Sequence, residues 1–411
     1  MKKSLLVEEW DEIRFGATHG DITREEAEAL DRVAAGAGAK ELFHWSRSGV
    51  SPRNWIGVVK SAGIQLSIVP KGWKTLDKAK QVQFEQNLLH LAARGQGLRL
   101  HEMPRADIQP HPSPSAFLFS SFLAQARLAL RRRAVREYRV HQEIGPRLRG
   151  AMVFPAQLIV NLARPGSFVT RATELTWDNP FNRVLATACD VIARSGYKDL
   201  RVRAMRTALA VRAQPVVERI DEQLARARRM RLGRTHAACI DLAELVIKMK
   251  GGRGLFVGTV SLGAELVASD RIWELGVTSV IMSEAPGRFI PQPSHHYALA
   301  RSTAQGVVKV AELKPDLLAT KTASIIDLKW KIIDVVKPKL DSDDMYQVLG
   351  YAQYFGCSRV VLLYPAVHGN QATVQHVTTS DPHVTVDMAF LPVTEDWAEF
   401  RASVGRLISD M

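Results

Sequence analysis

The chain has 411 residues, 46% of them hydrophobic and 24% charged, with a formal net charge of +13. This balance excludes a wholly disordered chain. No apolar run approaches the roughly 18–20 residues of a membrane-spanning helix. The uncharged stretch Ser4–Val7 ends at Glu8, too short for a secretory apolar region. Three widely spaced cysteines with no CxxC pair support neither a disulfide framework nor a cysteine-rich zinc site. These features predict a cytoplasmic protein of two or three domains.

The excess charge is concentrated. Residues 121–150 hold eight Arg and two Glu, and residues 201–234 hold ten Arg and three acids. Those two segments account for the whole net charge. Arginine suits bidentate phosphate contacts better than lysine does. The pattern points to a polyanionic partner, most simply nucleic acid, or to solvated helix faces paired with acids from elsewhere.

Residues 1–75 read as β-rich, with strand patterns at Leu5–Val7, Trp55–Val59 and Ile64–Val69. A helix is predicted over 20–34, with Asp21 as its cap, and another over 75–96. Four prolines between Pro104 and Ala116 mark a linker or exposed excursion. A helix over 116–136 ends in Arg131, Arg132 and Arg133, and Glu137–His141 is extended. A helix over 179–195 starts at Asn179-Pro180, as N-cap and N1. From 201 onward Val202, Met205 and Leu209 share one helix face. Val216, Ile220 and Leu224 share another, with Pro215 as the break.

The pattern changes near residue 236. Helices are predicted over 237–249 and 269–283, the second capped by Ser269 or Asp270. Strands follow at 307–313, 315–320 and 324–333, then a helix over 343–356 and a strand at Val360–Tyr364. Strands at 371–378 and 383–391 and a helix over 394–409 complete an α/β core. The resulting regions are 1–115, β-rich; 116–235, Arg-rich and helical; and 236–411, α/β.

The chemistry concentrates in Leu313–Trp330. A hairpin turning at Lys321-Thr322 sets Asp316 opposite Asp327, on one face, with Lys329 two residues further along that face. The other face carries Leu317, Ala319, Ile326, Leu328 and Trp330. Opposed like charges destabilise a strand pair. A divalent cation between the carboxylates removes that penalty, and Mg²⁺ is typically held by one or two carboxylates with water and phosphate oxygens. Such a cation makes bound water more acidic, and a nearby lysine can steady developing charge. These groups together can hydrolyse a phosphodiester; a solvated charged face would need the same residues and do nothing.

Pro315-Asp316 followed by Asp327-Leu328-Lys329 resembles the PD-(D/E)xK nuclease core. Gln347 and Tyr351, at i and i+4 on the next helix, resemble the QxxxY element of its RecB-like branch. Glu274, in the 269–283 helix, stands where many such cores supply an extra acidic metal ligand. Glu312-Leu313-Lys314 also fits half of the motif, so the short pattern alone is not specific.

A wider resemblance runs through Leu148-Arg149-Gly150, Phe154-Pro155 and Thr176-Trp177-Asp178-Asn179-Pro180-Phe181-Asn182-Arg183. These segments are similar to the McrC family, nuclease subunits of GTP-dependent restriction systems. Ala151 departs from the basic residue common after the Leu-Arg-Gly segment. The resemblance implies a C-terminal PD-(D/E)xK domain with catalytic Asp316, Asp327, Lys329, Gln347 and Tyr351. It implies metal ligation by Asp316, Asp327 and Glu274, with Mg²⁺ as cofactor and Mn²⁺ as substitute. It also implies double-stranded DNA as substrate, a hexameric McrB-like AAA+ GTPase as partner, and a second copy of the chain in the cleaving assembly. The N-terminal β-rich and helical arm would dock into that ring. Arg131, Arg132, Arg133, Arg149 and Arg183 are the candidate contacts to nucleic acid or partner. A self-sufficient RecB-like nuclease and a non-catalytic nucleic-acid-binding adaptor are the alternatives.

His295-His296 has no third ligand nearby in sequence, and Gly251-Gly252-Arg253-Gly254 is a turn rather than a phosphate loop. No GxxxxGK[ST] occurs, so nucleotide hydrolysis is not expected of this chain alone.

Overall fold

The structure is a computed structural model that describes residues 3–18, 20–61, 63–101, 108–216, 218–250, 256–257, 263–303, 306–333, 340–368, 373–377, 383–409 and 411. The Gly251–Gly254 segment and residues 102–107 of the proline-rich stretch lie outside that set. So do the ends of the strand expected at 371–378, described as Thr373–Val377. The chain divides into two compact units, one built from residues 1–120 and 248–411, the other from residues 121–247.

The first unit joins the two ends of the chain. Lys3–Glu8 runs parallel to Ile64–Val69, which pairs antiparallel with Trp55–Ser61. Trp55–Ser61 in turn pairs with Ala264–Ala268. Helix Arg24–Gly36 covers this sheet. Its cap is Thr23 rather than Asp21: Thr23 and Glu26 form a reciprocal capping box, while the Asp21 carboxylate accepts from Thr18. Three regions drawn along the sequence thus become two units in space, because strand pairing across some 200 residues leaves no mark in local periodicity.

A second sheet of six strands lies in the same unit. In spatial order it runs Phe289–Pro291, Leu317–Ala319, Ser324–Leu328, Arg359–Ala366, Thr385–Pro392 and Thr373–Val377. The central three strands are parallel. Their sequences are almost continuously apolar because both faces are covered. Ile326, Leu328, Val361, Leu363, Ala389 and Leu391 point into one core. Helices Lys78–Gly95, Ser269–Glu284 and Trp397–Ser409 close it with Phe84, Trp273 and Phe400. A Cβ on Gly276 would lie 2.7 Å from the Leu91 carbonyl, so glycine sets how closely two of these helices approach. Alternate residues Ile325, Val360, Leu362, Tyr364, Met388 and Phe390 face the other way, toward Val348, Tyr351 and Ala352 of helix Ser342–Phe355.

Several boundaries differ from the sequence reading. The strand expected over 324–333 ends at Leu328, and the one expected from 315 starts at Leu317. Trp330 and Ile332 still pack partly on the first core, so their period-two pattern reflects packing without pairing. The helix starting at Ser269 has no side-chain cap; the Ser269 hydroxyl donates to Glu9 instead.

In the second unit, Glu137–Gly145 pairs with Phe168–Thr176 over nine residues, and Ala151–Met152 adds a short third strand. Helices Pro180–Ala193, Lys198–Val211 and Ile220–Arg229 follow. The helix start at Asn179 is as expected: its side chain accepts from the Asn182 backbone N–H at 3.0 Å, and Pro180 follows at N1. Val202, Met205 and Leu209 share a face, but that face is exposed.

Candidate active site

The hairpin register is the one a turn at Lys321-Thr322 requires. Leu317 opposes Ile326 and Leu318 opposes Ile325. Asp316 immediately precedes this ladder, and its carboxylate Oδ2 accepts the backbone N–H of Leu328 at 2.6 Å. Lys329 lies just beyond the strand. Its backbone N–H donates to Leu363 O at 3.0 Å, which keeps it aligned with the neighbouring strand.

The polar face of this hairpin is not solvated. Asp327 is on the side covered by helix Ser342–Phe355 and is 4% exposed. The Lys329 ammonium lies 2.7 Å from Asp327 Oδ2 and 3.8 Å from Asp344. It donates to Gln347 Oε1 at 2.5 Å. Gln347 in turn donates to the Tyr351 hydroxyl at 2.6 Å, and that hydroxyl donates to Lys314 O at 3.3 Å. The structure therefore brings Lys329, Gln347 and Tyr351 into one hydrogen-bonded chain that Asp327 joins through its ion pair with Lys329, with Asp316 tied to the backbone of Leu328.

Electrostatics fit a centre built to hold a cation. Burial pushes the Asp316 carboxyl up to about 7, with the Asp327 charge adding to the rise and Glu274 contributing further. Burial also raises Asp327, against the pull of Lys329. Burial and the nearby Asp327 carboxylate hold the Tyr351 hydroxyl well above the usual phenol range. Asp327 Oδ2 is buried and has no aligned hydrogen-bond donor among the described residues, despite its contact with Lys329. A buried carboxylate oxygen left this way carries a cost that a divalent cation would remove. The donor set is hard oxygen, which suits Mg²⁺ or Mn²⁺.

Glu274 stands at the edge of this cluster. It accepts from Gln292 Nε2 at 2.6 Å, while the Gln292 backbone N–H donates to Asp316 O at 2.8 Å. Among the described residues, no three His, Cys, Asp or Glu side chains converge as a ready-made ligand set. Two carboxylates with water and phosphate oxygens are the set these residues offer.

Sequence reasoning missed two members of the site. Asp344, 6% exposed, accepts from Lys331 at 2.7 Å as well as facing Lys329. Its position three residues before Gln347, on the same helix face, was the available signal. Gln292 had none: it joins Glu274 to Asp316 only through the fold.

The arginine candidates lie in the second unit. Arg131, Arg132 and Arg133 are exposed, with Arg132 also donating to Thr235 Oγ1 at 3.1 Å. Arg149 is exposed beside Gly150, whose φ of 82° and 2.4 Å Cβ clearance to Arg171 O explain the glycine. Arg183 makes two hydrogen bonds of 2.6 Å to Asp178, so part of its role is to brace the helix start. The side chains of His295 and His296 lie outside the described residues.

The described residues thus form a mixed α/β protein with a carboxylate–lysine centre on one sheet. The sequence profile of the McrBC 5-methylcytosine restriction system component matches residues 50–365, and the chain belongs to that family. Among solved structures, the chain is similar to one from Thermococcus gammatolerans, described as a refined half-complex from a tetradecameric assembly of McrB AAA+ hexamers with bound McrC. The match has a TM-score of 0.62 at 16% identity and covers 99% of each chain, a likeness of fold. A second, the cryo-EM structure of the Thermococcus gammatolerans McrBC complex, matches at TM-score 0.47 and 17% identity, over 68% of this chain and 88% of that one. A search of curated proteins gives no match. No helix among the described residues is long and apolar enough to cross a membrane.

Proposed function

We propose that this chain is the Mg²⁺-dependent DNA endonuclease subunit of a McrBC-like restriction complex, with a PD-(D/E)xK core. The observation that carries this reading is the cluster of Asp316, Asp327 and Lys329, linked to Gln347 and Tyr351 beneath one helix. Asp316 and Asp327 would hold the cation, which when bound supplies Lewis acidity toward water and the scissile phosphate. Lys329 is fixed by Gln347 and Asp327, so its charge is already placed where negative charge develops on phosphate oxygens. Gln347 orients that ammonium, and Tyr351 holds Gln347. Helix Ser342–Phe355 excludes water from the Asp327 side and so strengthens each of these interactions.

The partner is a McrB-like AAA+ GTPase hexamer, whose hydrolysis this chain stimulates. The full-length likeness to a chain from an McrB–McrC assembly supports that reading, as does the absence of a phosphate-binding loop here. The exposed arginines of residues 121–247 would meet DNA or the ring. One such centre cuts one strand, so a double-strand break takes two copies of the chain. Intact Asp316, Asp327 and Lys329 argue against a non-catalytic adaptor. The test is plasmid cleavage across a Mg²⁺ titration, with and without the neighbouring AAA+ protein. Cleavage that needs the partner supports the assembly; efficient cleavage by the chain alone favours a self-sufficient nuclease.

A further inference from the structure

A cavity of about 660 Å³ opens beside the candidate active site, within the same compact unit. Trp330 and Lys331, which directly follow Lys329, form one wall. Asp344, which faces both Lys329 and Lys331, lines it as well. The opposite wall comes from the N-terminal sheet and its loops: Glu9, Trp10, Asn54 and Lys71.

Trp10 is unusual in two ways. The residue is 47% exposed, and its backbone adopts φ 67°, the left-handed region that is strained for a bulky side chain. The conformation is held from both ends. The Trp10 backbone N–H donates to Pro52 O at 2.7 Å, and Nε1 donates to Asn54 Oδ1 at 2.9 Å. Asn54 is itself anchored on Asp270 at 3.3 Å. A strained, exposed aromatic fixed this firmly is a preformed stacking surface. Trp330 is fixed too: its Nε1 donates to Glu9 Oε2 at 3.0 Å, and Ser269 donates to the same carboxylate.

The charge of the lining narrows the ligand. Asp341 and Asp344 are paired with Lys331, Lys71 also lines the cavity, and the buried Glu9 carboxyl, raised to about 7, already accepts from Ser269 and Trp330. The lining therefore carries little net charge, which suits a neutral base better than a phosphate. The Asp341 and Asp344 carboxylates can accept hydrogen bonds, as a base with an exocyclic amino group requires. Indole faces beside acceptors are the chemistry that takes an unstacked base.

We infer that this cavity receives an unpaired, amino-bearing nucleobase of the substrate strand, next to the Asp316–Asp327 centre where the scissile phosphate would lie, stacked against Trp10. The inference rests on the nuclease reading only for the phosphate's place; the base site itself stands on the cavity.

The test uses the full chain in EDTA, so that no cleavage occurs. Fluorescence anisotropy is measured with short single-stranded oligonucleotides of equal length, carrying cytosine, thymine or abasic positions at the centre. The expected result is roughly tenfold tighter binding of the cytosine strand than of the abasic one, with thymine between them. Trp10→Ala should erase that difference, while Trp10→Phe should restore most of it. Equal affinity for cytosine and abasic strands, or a preference that survives Trp10→Ala, overturns the proposal. AMP or CMP displacing the strand at micromolar concentration would assign the cavity to a free nucleotide and overturn the strand-base reading. Because base preference is read by binding in EDTA, it is scored whether or not the wild type cuts DNA, which separates this claim from the nuclease claim.

Discussion

The carboxylate of Asp316 accepts the backbone N–H of Leu328, the residue between Asp327 and Lys329. One acid is thereby locked to the strand that carries the other acid and the lysine. Any shift in the hairpin register would separate them, and because side chains alternate, a one-residue slip would send Asp327 into the apolar core.

Asp327→Asn should abolish DNA cleavage, by at least a hundredfold, and leave the fold intact. Asp327 is buried with a raised pKa, so a neutral isostere removes a charge that burial disfavours. The measurement pairs plasmid cleavage with thermal melting. A fall in melting temperature together with undiminished cutting would contradict both halves.

Lys329→Ala should also abolish cleavage, but at a cost to folding. It leaves Asp327 and Gln347 without the ammonium that contacts them. Breaking a largely buried pair by removing one partner costs about 3 kcal/mol or more. The hairpin pattern alone suggests that this side chain is dispensable for the core; its burial beneath helix Ser342–Phe355 says otherwise. Thermal melting of the purified variant checks the difference from Asp327→Asn.

The metal-free protein should lose stability as pH rises from about 4 to about 7. Asp316 has a folded-state pKa raised to about 7, so the folded chain binds the extra proton in that window. Deprotonation then favours the unfolded state. Glu9, raised by burial to about 7, acts in the same direction. Mg²⁺ or Mn²⁺ at pH 8 should restore the lost stability by binding the ionised pair. Asp316→Asn should shrink both the pH dependence and the metal effect, leaving the part due to Glu9. Melting curves with EDTA or Mg²⁺ at pH 5 and pH 8 decide this.

Much of the six-stranded sheet was legible because its signals are local. The turn at Lys321-Thr322 fixes the hairpin register, period-two alternation separates Asp327 from Ile326, and the i,i+4 spacing puts Gln347 beside Tyr351. Asn179-Pro180 marks a helix start from two adjacent residues. What was not legible depends on long-range contacts. Glu9 meets Trp330 across more than 300 residues, and Gln292 joins Glu274 to Asp316 only once three elements pack. Asp21 offered a plausible cap, yet Thr23 won because Glu26 completes a reciprocal pair with it.

Replacing Arg131, Arg132 and Arg133 with Ser should weaken DNA binding equally across sequences. Each lost phosphate contact should lower the salt slope by about one. Binding over a salt series checks this, and an unchanged slope would assign the run to the protein partner or to solvent.

The most direct test of the account is cleavage of plasmid DNA by the full chain combined with its neighbouring AAA+ protein, GTP and Mg²⁺, with the wild type beside Asp327→Asn. The account predicts double-strand breaks with the wild type that require both Mg²⁺ and the partner, and none with the variant at equal partner binding. Equal cutting by wild type and variant would contradict it.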